Sequence, residues 1–149
     1  MTNSNTNNSN TNNSNSNSNS NNAQLVKVFN DIFFSFVNLI SNTFPNDLDV
    51  TIAKNKLYAI KKINPKMIIK IWKNYITDRY RESIERGDID FFIEKNYSED
   101  FNKVSNSDRI MNSVNRLREP IKKMERDKQI LTMTYIQDLS KLSEGLISI

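Results

Sequence analysis

Residues 64–87 read NPKMIIKIWKNYITDRYRESIERG. Ile68, Ile71, Trp72, Tyr75, Ile76, Tyr80 and Ile84 recur at intervals of three and four. That spacing sets side chains on one face of a helix. Asn64-Pro65 is a start signal, because a capping side chain precedes a proline whose missing N–H costs no bond at the first helical position. Gly87 is a stop signal. The pattern predicts one amphipathic helix over 65–86, about five turns long.

The same period runs outward in both directions. Upstream, Leu25, Val28, Phe29, Ile32, Phe33, Phe36, Val37 and Ile40 mark a helix from about Gln24 to Thr43. Phe34 and Leu39 widen its stripe, so contact on two sides is expected. Pro45-Asn46 ends it, and Asp47 or Asp49 caps a second helix over Leu48–Ile63. Downstream, a short helix is expected over Ile89–Lys95. After a polar break at 96–107, a long helical region runs from Asp108 to about Ser143, divided or kinked by Pro120. Strand-type alternation and Asn-Gly or Asp-Gly hairpin signals are missing. The expected fold is all-α: a single irregular bundle of five or six helices.

That bundle occupies residues 23–149. Residues 2–22 are all Asn, Ser or Thr, with no apolar side chain to offset the entropy of ordering them, and a disordered tail is expected there. The tail is uncharged and so is not a basic arm. The chain has no cysteine and no histidine. Disulfides, thiolate nucleophiles and His-centred catalysis or zinc sites are excluded. No phosphate-binding glycine loop is present, so a non-enzymatic protein without cofactor or metal is expected. The apolar run Ile32–Ile40 is shorter than a bilayer span and has neither the charged flank nor the cleavage site of a leader peptide. The expectation is a soluble intracellular protein with no membrane partner.

Two features point to partners. Residues 51–86 carry ten Lys or Arg against three acids, and Lys66, Lys70, Lys73 and Arg81 fall opposite the apolar stripe. Such a row fits a solvated face, an acidic protein partner, or nucleic acid, whose phosphates bind in proportion to the ion pairs made. Second, Ile110, Val114, Leu117, Ile121, Met124, Leu131, Tyr135 and Leu142 follow a heptad-like alternation, with Lys128 and Asp138 in two of its slots. This seam fits packing within the bundle or pairing between chains.

The triplet Arg86-Gly87-Asp88 reads as a helix stop followed by a cap, not as an adhesive site. Asp88, Asp90, Glu94, Glu99 and Asp100 lack the ligand spacing and central glycine of a calcium loop. Phe91-Phe92, about a hundred degrees apart on a helix, reads as a plug at one end of the bundle or as a docking peg.

The run 64–101, NPKMIIKIWKNYITDRYRESIERGDIDFFIEKNYSEDF, resembles a family of short uncharacterised helical proteins of nucleocytoplasmic large DNA viruses, the giant viruses of protists. Ile84, Gly87, Asp88, Asp90, Phe91, Phe92, Asn96 and Tyr97 carry the likeness, which extends from about Phe29 to Leu142. The resemblance implies a helical viral protein, in the virion or in infected cytoplasm, and no activity. The function expected is a structural or interaction protein, self-associating or binding a protein partner. The alternative is a nucleic-acid-binding accessory protein using the basic 54–86 face.

Overall fold

The computed structural model describes residues 12–94 and 106–146. They form seven α-helices: α1 (Asn12–Thr43), α2 (Leu48–Ile63), α3 (Met67–Trp72), α4 (Arg81–Glu85), α5 (Ile89–Glu94), α6 (Asn106–Lys122) and α7 (Arg126–Glu144). A π-helical turn, Lys73–Thr77, follows α3 directly. No strand occurs among the described residues.

α1 is the central helix. Phe29, Phe33, Val37 and Ile40 are fully enclosed. On one flank Phe34 lies on Tyr58 of α2, and on the other Phe36 lies on Tyr135 of α7, so the two-sided contact expected of the widened stripe is present. The stretch Ser20–Thr43 is long and apolar enough to cross a membrane by length and composition alone, but in the bundle its aromatic side faces other helices. The helix begins at Asn12, earlier than the expected Gln24. Once its apolar half is packed, extending a helix costs far less than starting one, so poor helix formers can follow. Residues 1–11 of the expected tail lie outside the described residues.

α2 begins where its cap predicts: the Asp47 side chain accepts from the Val50 N–H at 3.3 Å. The helix expected over 65–86 is not continuous. It is interrupted by the π turn, closed by the Lys73 carbonyl accepting from the Asp78 N–H at 2.9 Å, and by a bend at Tyr80. The reason lies in the side chains that α7 receives. Trp72 donates its indole N–H to Ser140 Oγ at 3.0 Å, and Thr77 Oγ1 lies 2.7 Å from Ser143 Oγ. Ser143 donates its own proton to the Ser140 carbonyl, so Thr77 donates to Ser143. Residues five apart diverge by about 140° on an α-helix. The wider π turn brings both onto the α7 side.

At the end of α4 the Gly87 N–H reaches the Ile84 carbonyl and the Asp88 N–H the Ser83 carbonyl, both at 3.0 Å, with Gly87 at φ +66°. This is the paired closure of a glycine-stopped helix. Asp88 then caps α5, accepting from the Phe91 N–H at 3.1 Å. Phe92 is buried, and Phe91, half-buried, meets the edge of Tyr80. The plug is thus made by Phe92 with Ile89 and Ile93, while Phe91 covers its rim.

Pro120 does not divide the region. It sits in the final turn of α6, and the break falls at Lys123–Glu125. Gln129 closes the break by donating to the Ile121 carbonyl at 3.0 Å. The seam expected over 110–142 is therefore divided between two helices that pack on each other.

Gly87→Ala places a Cβ 3.2 Å from Gln137 Nε2 in a left-handed backbone. It is expected to lower stability by about 1–2 kcal/mol, read by urea unfolding with the fluorescence of the single tryptophan, at unchanged m-value. Equal stability would show that Gly87 is not the required stop.

Candidate interaction surface

The chemistry-bearing side chains are dispersed. Among the described residues no three carboxylates converge on one point. Asp88 caps α5, and Asp90 makes a two-pronged pair with Arg126, at 2.8 and 3.3 Å. Glu99 and Asp100, like Asn96 and Tyr97, lie outside the described residues. An apolar cavity under the plug, lined by Trp72, Phe92, Leu117 and Ile136, measures about 50 Å³. That volume is too small for an organic substrate, and its mostly apolar lining gives a water few partners.

The expected basic row is dispersed as well. Lys66 is exposed ahead of α3, Lys70 and Lys73 are half-buried, and Arg81 lies beyond the bend. Arg81 is paired with Glu144 and reaches Asp78 at 3.4 Å, so it ties α4 to α7. Lys61 sits over the Phe34 ring and Arg79 over the Tyr75 ring, at 5.1 and 4.9 Å. A cationic groove does form, elsewhere: Lys56 of α2 faces Arg109 and Arg116 of α6 across Ile60, Asn112 and Asn115. Arg116 reaches Asp49 at 3.7 Å on the groove's rim. Arg109 and Arg116 come from a helix outside the basic stretch, and their spacing of seven is the signal that would have found them.

The seam residues divide cleanly. Ile110, Leu117, Ile121 and Met124 are buried, with Val114 half-buried. The α6 half of the seam is core. The α7 half is not: Leu131 is 44% exposed, and Tyr135 and Leu142 are half-buried. α7 runs antiparallel to α1. Leu25 lies beside Gly145, Phe36 on Tyr135, and Lys128 Nζ is 3.4 Å from Thr43 Oγ1. Helical geometry puts Val28, Ile32 and Leu39 on the flank of α1 turned to α7, with Leu142, Tyr135 and Leu131 facing them in reverse order. Val28 is 38% exposed, and Ile32 and Leu39 are half-buried. The outer side of the α1–α7 pair therefore presents a contiguous apolar strip.

Comparison of the chain with protein-family models, with curated proteins and with solved structures finds no match.

The Arg126 guanidinium, hydrogen-bonded to Asp90, holds that carboxyl below its ordinary value of 3.8. A carboxylate whose folded value is depressed adds stability above its ordinary value and loses it as pH falls through the folded one. Asp90→Asn is expected to be slightly less stable than wild type at pH 7. The difference should shrink as pH falls through the depressed folded value, in urea titrations at neutral and at strongly acidic pH. A difference that persists in acid would assign the effect to packing.

Proposed function

We propose that this is a non-enzymatic interaction protein that pairs with another helical surface through the outer side of α1 and α7. The single observation behind the reading is the apolar strip formed by Val28, Ile32 and Leu39 with Leu131, Tyr135 and Leu142. Scattered single apolar residues are normal on any surface, but a contiguous strip along two helices is the usual mark of a contact site. The alternation that sets this strip is the one coiled-coil partners use, and its α7 half, though Tyr135 and Leu142 touch the core, keeps one edge in solvent after the bundle has formed. The wide dispersal of charged and polar side chains supports a role without catalysis. The likeness to giant-virus proteins supports an origin in such a virus and a place in the virion or in infected cytoplasm.

The test is a concentration series by size-exclusion chromatography with light scattering. Wild type is expected above monomer mass in the micromolar range. Leu131→Glu with Val28→Glu is expected at monomer mass, with helicity and melting temperature close to wild type because both positions are exposed. A wild-type chain that stays monomeric at several hundred micromolar (a high threshold for any specific pair) and captures the same host proteins as the double variant would remove the reading.

A second reading keeps the nucleic-acid function but moves it. The α2–α6 groove carries Lys56, Arg109 and Arg116 with amide side chains between them, and among the described residues its lining holds no carboxylate, with Asp49 3.7 Å from Arg116 beside it. Cations beside amides suit a phosphate backbone. Binding to random-sequence RNA or DNA is expected to weaken steeply with salt, with a log–log slope of about −2 to −3 for three contacts. Arg109→Ala with Arg116→Ala should flatten it, whereas Lys66→Ala should not. Absence of binding at low salt would end this alternative.

A further inference from the structure

We propose that the partner of this surface is a second copy of the chain, its α7 laid antiparallel on the first α7 across a two-fold axis, with Lys128 of each copy against Asp138 of the other. The inference rests on the α1–α7 strip being the working surface and goes on to name the occupant and the register.

The argument comes from the order of side chains along the open flank of α7. Lys128, Leu131, Tyr135, Asp138 and Leu142 follow one another at intervals of three and four. Its two charged members have opposite signs and lie equally far from the midpoint between Leu131 and Tyr135. Reversing the row about that midpoint sets Leu131 against Tyr135 and Lys128 against Asp138, each twice over. Leu142 then falls over the turn between α6 and α7. The four slots that overlap each meet a chemically matched slot, as an isologous contact requires.

Other arrangements of the same row do not match. A parallel two-fold pair would set Lys128 on Lys128 and Asp138 on Asp138. Sliding the antiparallel pair so that Tyr135 meets Asp138 buries a carboxylate against a ring and leaves Lys128 opposite Gly145. Sliding it the other way sets Lys128 on Leu131. Unmatched charge inside an apolar contact selects against these registers.

Neither charge is committed within the fold. Lys128 and Asp138 are exposed, and no ion pair holds either of them among the described residues. The contact of Lys128 Nζ with the Thr43 hydroxyl, at 3.4 Å, is long and solvent-facing, and is readily exchanged for a carboxylate. Their exposure also makes them suitable for substitution, since the Thr43 contact is the one side-chain hydrogen bond either of them makes among the described residues.

The experiment is a charge exchange in the full chain, read by light scattering over a dilution series. Lys128→Asp alone and Asp138→Lys alone each create two like-charge contacts and are expected to weaken the dimer by about tenfold or more. The double exchange restores both contacts and is expected to return the dissociation constant to near the wild-type value. An equimolar mixture of the two single variants should form a heterodimer tighter than either variant with itself. Circular dichroism of each variant confirms that the bundle is intact. A wild-type dimer indifferent to both reversals, or a double exchange no better than the singles, would overturn the register while leaving the surface in place. A wild-type chain monomeric at every concentration would overturn the second copy as occupant.

Discussion

Trp72 is the point at which three helices are held together. Its ring takes the edges of Phe29 and Phe33 from α1, at centroid separations of 6.2 and 6.1 Å, and its N–H is donated to Ser140 of α7. An enclosed indole donor left without a partner costs about 1–3 kcal/mol, so α7 is rotationally fixed wherever Trp72 packs. Thr77 and Ser143 repeat the constraint one turn further on, and Gln137 adds a bond to the Ile84 carbonyl at 2.9 Å. Once α7 is oriented by these bonds, Ile136 and Leu139 enter the core. Tyr135 and Leu142 are turned toward α1, and Leu131 is left outside. The apolar strip is thus a consequence of polar docking on the other side of the same helix.

Much of the fold was legible in the residues because the signals were local. Asp47, Asn64, Gly87 and Asp88 each act through bonds to backbone groups no more than five residues away, and each does what its type and position imply. The period of three and four declared helices throughout, and α1 declared itself central through its double stripe. The break at Lys73–Thr77 was not legible. No glycine or proline marks it, and every residue in it is compatible with an α-helix. It exists because Trp72 and Thr77 answer to serines more than sixty residues away. Pro120 misled for the opposite reason: it is a strong local signal, yet it costs α6 only the bond its missing N–H would have given the Arg116 carbonyl, and the helix runs on to Lys122.

The interaction surface was half legible. A run of apolar residues at heptad spacing reports that something is covered, and it does not say by what. Ile110, Leu117 and Ile121 are covered by this chain; Leu131 is exposed, and Tyr135 and Leu142 are half covered. The split falls at the Lys123–Glu125 break, after which the pattern passes from the core to the flank of α1. For the basic residues, clustering along the chain overstated the charge available. Arg81 and Lys61 are used inside the fold, while Arg109 and Arg116 gather with Lys56 from a distance.

The π turn at Lys73–Thr77 has a further consequence for how this chain can change. Ile68, Trp72, Ile76, Tyr80 and Ile84 keep one spacing of four across it. A strict spacing of four drifts by about 40° per step on an α-helix, and the wider π turn takes up that drift. Trp72 before the turn and Thr77 after it therefore both meet α7. A residue gained or lost there would pull Trp72 or Thr77 out of register with α7, whose Arg126 also pairs with Asp90 of α5, so the stretch is held to its present length.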